Sequence, residues 1–189
     1  MKLLLITILG LIVLPARTTK NPDIPQGKKF REEFLSRINQ VRHEGCNCGG
    51  TYMAPAPPLT WNDELADAAL SHAEDMSAHN YFSHTSRNGK TAPDRIIEAG
   101  YTYKGYKSFA VGENIAEGQM SIAEVMDGWL KSPGHCRNLM NPQFKEVGVA
   151  QFNRYWVQDF GGRQPFSAEE QKMNKSGRYK VIQKGVPGH

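Results

Sequence analysis

Cysteine is scarce in this chain: 189 residues contain three. That is too few for a small domain stapled by several disulfides, and an odd number allows one bridge with one thiol left over. Long apolar runs are missing beyond the N-terminus. The chain contains no His-Glu-x-x-His and no Gly-x-Ser-x-Gly, so the usual zinc-protease and serine-hydrolase signatures are absent. No internal repeat is visible. A basic central region is lacking too, despite a net charge of +4 and a pI near 8.9. Residues 1–29 carry five Lys/Arg against one Asp, and residues 163–189 carry six against two acids, whereas residues 30–162 hold 12 Lys/Arg and 16 Asp/Glu. The excess positive charge therefore lies at the ends, and the middle, mildly acidic, offers no face for phosphate; nucleic acid is excluded as the expected partner.

The N-terminal apolar run, Leu3 to Leu14, follows Lys2 and precedes Pro15-Ala16. It is too short to span a bilayer and reads as the hydrophobic part of a signal peptide over residues 1–19, although Leu14 is a poor small-residue match upstream of Ala16. The expectation is a secreted, extracellular or periplasmic protein with no transmembrane anchor in the mature chain. Gln164 to His189 is polar, with scattered Lys and Gly, and is expected to form a basic flexible tail over residues 163–189, with Tyr179-Lys-Val-Ile182 as a potential extra edge strand.

Between the ends, hydrophobic periodicity marks the elements. Phe30, Phe34, Ile38 and Val41 recur every three or four residues, one face of a helix that Gly45 ends. Thr60 or Asn62 caps a longer helix with Leu65, Ala69, His72 and Met76 on one stripe. Pro93 opens a short helix carrying Ile96 and Ile97. Ser121-Ile-Ala-Glu124 is a capping box for a helix that turns Ile122, Val125, Met126 and Trp129 inward. Lys145 to Phe152 alternates as a half-buried strand, and Asn153-Arg154 turns it into Tyr155 to Phe160 as an antiparallel hairpin. Helices followed by a small sheet indicate an α+β fold.

The chemistry-bearing residues are dispersed. Ser132-Pro133 reads as a helix N-cap with proline at the first helical position, placing His135 at the start of a short helix facing a cleft. His84 lies in Tyr81-Phe-Ser-His84, and Glu113 in Gly112-Glu-Asn-Ile-Ala116. Two imidazoles and a carboxylate from three segments are ligand types that zinc accepts. His72 and His79 are seven apart on one helix, too distant to chelate one ion, and His72 reads as a packed residue behind the site. The aromatic set Tyr81, Phe82, Tyr101, Tyr103, Tyr106 and Phe109 is expected mainly to pack loops and core. A Cys46–Cys48 bridge is disfavoured by the tightness of its loop, which leaves either residue to pair with Cys136. Cys136 as a catalytic thiol is disfavoured by export and by the absence of an evident base.

Phe82-Ser-His84, Gly112-Glu-Asn-Ile-Ala116, Ser132-Pro-Gly-His135-Cys136-Arg-Asn-Leu-Met140 and Tyr155-Trp-Val-Gln-Asp-Phe-Gly161 resemble, in order, the successive motifs of the CAP superfamily. This family comprises cysteine-rich secretory proteins, antigen 5 and pathogenesis-related 1 proteins, the SCP domain. The likeness runs from about Phe30 to Gly162 and is closest to the compact bacterial branch. It implies a three-layer α-β-α sandwich with a small antiparallel sheet over residues 30–162, and a Cys48–Cys136 disulfide. It also implies a cavity in which His84, His135 and Glu113 hold zinc or another divalent cation. The family's second cavity acid falls at Ser132, so the set of four is incomplete; Glu146 is the candidate to fill the gap, and Ser132 and Glu146 are taken as cavity-lining. The functional expectation is a binding module for a small apolar ligand, a glycan or an extracellular protein partner, with metal optional. The alternative is a metal-assisted hydrolase of peptide or cell-envelope material with Glu113 as base.

Overall fold

The computed structural model describes residues 27–176. The apolar N-terminal run and Tyr179–Ile182 lie outside the described residues. Helix α1 (Lys28–Glu44) is followed by a short hairpin, β1 (Cys46–Cys48) with β2 (Thr51–Met53), and by the two-residue strand β3 (Thr60–Trp61). Helices α2 (Asp63–His79) and α3 (Ala92–Glu98) lead to the long strand β4 (Tyr106–Glu117). Helices α4 (Ile122–Lys131) and α5 (Pro133–Met140) precede β5 (Glu146–Phe152), β6 (Tyr155–Pro165) and α6 (Ala168–Lys175). The main sheet has the order β3-β5-β6-β4, antiparallel except for the β3–β5 pair, which is parallel.

The expected helix starts are present with their chemistry. Asn62 caps α2 by accepting from the Leu65 N–H, and Ser121 caps α4 by accepting from Glu124 N–H while Glu124 reaches back to Met120 N–H. Two features depart from expectation. Residues 106–117 form a twelve-residue strand, so the sheet is built on β4 as well as on the expected hairpin, and Glu113 sits within that strand. In addition, β5 is buried on both faces from Val147 to Ala150, and β6 from Tyr155 to Gly162. Helices cover both faces, which suits continuous apolar strands better than alternating ones.

On one face, Phe34, Ile38, Val125, Trp129 and Leu139 pack against Val147, Val149, Trp156 and Phe160. On the other, Ala69, Ala73 and Met76 of α2 meet Ile115, Ala150, Tyr155 and Val157. The close approach of α2 requires Gly148: a Cβ there would lie 2.0 Å from the Ala66 nitrogen. The expected domain boundary at 162 falls within β6, which continues to Pro165; α6 follows, and Lys107 pairs with Glu170 at 2.7 Å. The rest of the tail expected to be flexible, from residue 177, lies outside the described residues.

Arg42, on α1, is completely buried. Its guanidinium donates to the carbonyls of Pro57 (2.7 Å), Leu139 (2.7 Å), Asn141 (3.1 Å) and Phe144 (3.3 Å). One side chain thus satisfies the last carbonyls of α5 and the loops beside it, and burial lowers its pKa to about 10. Replacement by methionine keeps most of the volume but strips these acceptors of their donors. Arg42→Met is expected to cost ~3 kcal/mol or more and to lower the melting temperature by roughly 6–12 °C, checked by thermal unfolding. A drop within a degree of wild type would show that the carbonyls find other donors.

Candidate functional site

Strand β4 is the edge of the sheet, and its period-two alternation sends consecutive residues to opposite faces. Glu113 faces the α2–α3 side. Its side chain is 2% exposed, and both oxygens are engaged: Oε2 accepts from Arg95 Nη2 at 2.5 Å, and Oε1 from His84 Nδ1 at 2.7 Å. Arg95, on α3, also donates through Nη1 to the carbonyls of His84 and Lys90 and to Ser86 Oγ, each at 3.1 Å. One guanidinium therefore secures both the carboxylate and the loop that carries His84. Buried His72 on α2 supports the same loop, bonding Ser83 O through Nε2 at 2.9 Å, with Ser86 Oγ 3.4 Å from Nδ1. Burial lowers the His72 pKa and keeps the ring neutral, consistent with the packed role expected for it.

Asn114 faces the other side. Its Nδ2 donates to His135 O at 3.2 Å and to Gln158 Oε1 at 3.0 Å. Asn138 on α5 donates to Glu113 O at 3.1 Å and to Asn114 Oδ1 at 2.9 Å. The first turn of α5, with His135 in it, is thereby pinned to β4. Burial first, and then His84, lower the His135 pKa. His84 is 56% exposed at its side chain and forms the accessible part of the pair. Sequence reading missed Asn114 and Asn138; the alternation Glu113-Asn114 within a buried strand was the available signal.

The remaining expected residues fall elsewhere or serve other roles. Glu146 accepts from Asn62 Nδ2 (3.0 Å), Tyr101 OH (2.6 Å) and Arg163 Nη2 (3.2 Å). It closes a network at the start of β5, with the Arg163 guanidinium 4.0 Å from the Tyr101 ring, and is not drawn into the Glu113 pair. Ser132 joins α4 to α5 as the C-cap of one and the N-cap of the other, without a side-chain cap bond. Cys48 and Cys136 are disulfide-bonded with their Cα atoms 5.4 Å apart, and Cys46 is free. Among the described residues, the trio with ligand atoms all within 4.8 Å of one another is Cys46, Cys48 and Cys136; His84, Glu113 and His135 do not meet that spacing. A cavity of about 430 Å³ between α2 and α3 is lined by Asp67, Ser71, Asp75, Lys90, Arg95 and Glu98 among others. It backs onto Arg95, and neither histidine lines it.

An acid that the sequence did not disclose lies beneath the site. Asp159 on β6 is directly opposite Glu113 and fully buried, and neither carboxylate oxygen has a hydrogen-bond partner among the described residues. Burial first, and then the Glu113 charge, raise its pKa well above the carboxylate range, partly offset by Arg95. Its folded-state pKa exceeds the unfolded one, so the folded state binds the extra proton. Asp159 therefore weakens the fold as pH rises above the ordinary carboxylate range, and acidification relieves the cost. Asp159→Asn is expected to raise stability by roughly 1–2 kcal/mol at pH 7–8, with the gain shrinking toward pH 4, as read by denaturant unfolding across pH. A loss at neutral pH would mean that the carboxylate is held by a favourable partner.

The family model of the cysteine-rich secretory proteins (CAP) matches residues 35–160. An uncharacterized membrane protein of Bacillus subtilis, YlbC, is 36% identical over 103 residues, covering 54% of this chain and 28% of that protein. The uncharacterized YkwD of the same species is 35% identical over 108 residues, 56% of this chain and 40% of that protein. The chain thus spans well under half the length of these relatives. Among solved structures, an extracellular SCP-domain protein of Bacillus anthracis aligns at TM-score 0.54 with 30% identity, over 70% of this chain and 41% of that one. An outer surface protein of Borrelia burgdorferi shares the fold at TM-score 0.60 and 22% identity, over 75% and 98%. A helix–sheet–helix α+β sandwich is therefore shown by both the structure and its neighbours. No helix of the described residues is long and apolar enough to cross a membrane.

Proposed function

The chain belongs to the cysteine-rich secretory protein (CAP) family, and from that premise we propose that it is a secreted binding module that engages its ligand over edge strand β4 through His84 and His135. The observation that carries this reading is the anchoring of both histidines by adjacent residues of one strand: Glu113 holds the His84 ring at 2.7 Å, and Asn114 holds the His135 backbone at 3.2 Å. Because the Glu113 carboxylate accepts from Nδ1, neutral His84 presents Nε2 as its accepting or ligating atom. The extracellular and outer-surface neighbours support secretion.

The donor chemistry fits zinc or a similar divalent cation held by His84 and His135. Glu113 is then the carboxylate behind a ligating histidine, not a ligand itself, since both its oxygens are engaged and a cation placed on it would face Arg95. When bound, the ion would supply a positive docking point for carbonyl, carboxylate or hydroxyl oxygens of the ligand. Phe82, 47% exposed two residues before His84, offers an apolar surface suited to a small apolar ligand, the ring face of a glycan, or a protein partner. The hydrolytic alternative needs Glu113 as an available base, and its engagement by Arg95 and His84 favours binding.

Zinc titration of the protein is expected to reveal one weak site, lost in His84→Ala and in His135→Ala. Glu113→Gln is expected to weaken it ~10-fold or more through loss of ring orientation. Affinity should fall as pH drops through the ordinary imidazole range, because a protonated ring cannot ligate. Unchanged zinc affinity in both histidine variants would remove the metal from the proposal.

A further inference from the structure

The hairpin before the site holds three sulfurs together. Cys46 and Cys48 are two apart on β1 and so project to the same side of the strand. Cys46 Sγ lies 3.6 Å from Cys136 Sγ and 3.8 Å from Cys48 Sγ, in contact with both atoms of the bridge. Met140, Val41, Met53 and Leu130 pack around them. The hairpin is seated on α5 at a second point: a Cβ on Gly49, whose φ is +63°, would meet the Pro133 ring at 2.5 Å. Glycine at this position lets β1 lie flat against the start of the helix that carries Cys136. Three thiolates so placed would suit a soft metal ion, but the bridge consumes two of the sulfurs, and what remains is a thiol in contact with a disulfide.

We propose that Cys46 and the Cys48–Cys136 bridge form an internal thiol–disulfide exchange site, in which Cys136 is the shared partner of two interchangeable cysteines. Cys46 Sγ lies beside the bridge, almost equidistant from its two sulfurs, so in the step its side chain first rotates behind Cys136 Sγ, in line with Cys48; the thiolate then attacks Cys136 Sγ and a Cys46–Cys136 bond forms. The Cys48–Cys136 bond breaks, its electron pair leaves with Cys48, and the Cys48 thiolate takes up the proton that Cys46 released. Nothing is oxidised or reduced overall, and no outside reagent is required. Attack on Cys48 instead would close a Cys46–Cys48 bridge across one residue, which disulfide geometry opposes. The two permitted isomers close loops with sequence separations of 88 and 90 residues, so closure entropy favours one over the other by only about 3%. Local packing alone decides the balance.

The exchange moves the free thiol between environments. Cys46 is half-buried, whereas Cys48 is completely buried. After exchange the leftover thiol is shielded from external disulfides, while β1 remains tethered to α5 beside His135. Burial raises the Cys46 pKa, so exchange quickens as pH rises toward and above the ordinary thiol range. The inference rests on the cysteine geometry alone and is independent of what the histidines bind.

The test uses the oxidised full chain, incubated at pH 8.5, quenched in acid, unfolded, labelled with a maleimide and fragmented between residues 46 and 48 by tandem mass spectrometry. Label is expected on both Cys46 and Cys48, in a ratio that local packing sets. Cys48→Ala and Cys46→Ala are each expected to show no free thiol, because either remaining cysteine bonds Cys136. Label confined to Cys46 in the wild type overturns the proposal, whether or not the variants fold.

Discussion

A carboxylate buried in the middle of an edge strand is the constraint from which the site follows. Glu113 is withdrawn from water on β4, and an ionised carboxyl in such a position is untenable without a cation and hydrogen bonds. Arg95 supplies the cation, which requires α3 to sit against β4 where the guanidinium can reach at 2.5 Å. The three remaining contacts of Arg95 through Nη1 then fix the 84–90 loop. The second oxygen of Glu113 takes the His84 ring. Position, tautomer and orientation of His84 thus all derive from one buried acid, and the segments involved are far apart in sequence.

Strand alternation extends the same logic to the other face. Asn114, next to Glu113, is turned toward α5, where its amide is shared between His135 O and Gln158. A helix placed on the opposite side of the sheet is thereby indexed to the same point along β4 as the His84 loop. Two histidines 51 positions apart in the chain are thereby anchored to neighbouring residues of one strand. Burial, and secondarily His84, lower the pKa of His135.

Much of this was legible in the sequence, but not evenly. Periodicity and capping located α1, α2, α3 and α4, because apolar spacing and the Asn62 and Ser121 caps are local signals. The motif order carried the family, the disulfide and the residues His84, Glu113 and His135. Strand β4 was missed because Lys107, Ser108, Gly112 and Glu113 break the apolar pattern, and the strand is held by its pairing with β6, a non-local interaction. Glu146 is the sequence's candidate for the cavity acid whose place Ser132 takes. It lies on the same face as Glu113, yet Asn62, Tyr101 and Arg163 claim it, and no local pattern announces such a network. Arg42 and Asp159 read as ordinary polar residues within apolar segments; only the folded chain shows that one caps four carbonyls and the other lies unpaired beneath Glu113.

Asp159 shows what the arrangement costs. Two carboxylates directly opposite each other in an antiparallel pair repel, and a single guanidinium lies between them electrostatically. Arg95 bonds Glu113 and not Asp159, and burial beside Glu113 drives Asp159 toward its neutral form. The asymmetry has a consequence for His84. Both oxygens of Glu113 are given to Arg95 and to His84 Nδ1, and Asp159 takes no share of those donors. The stability forgone at β6 thus maintains the orientation of an imidazole on the surface, and the burial of both acids is one design read at two depths.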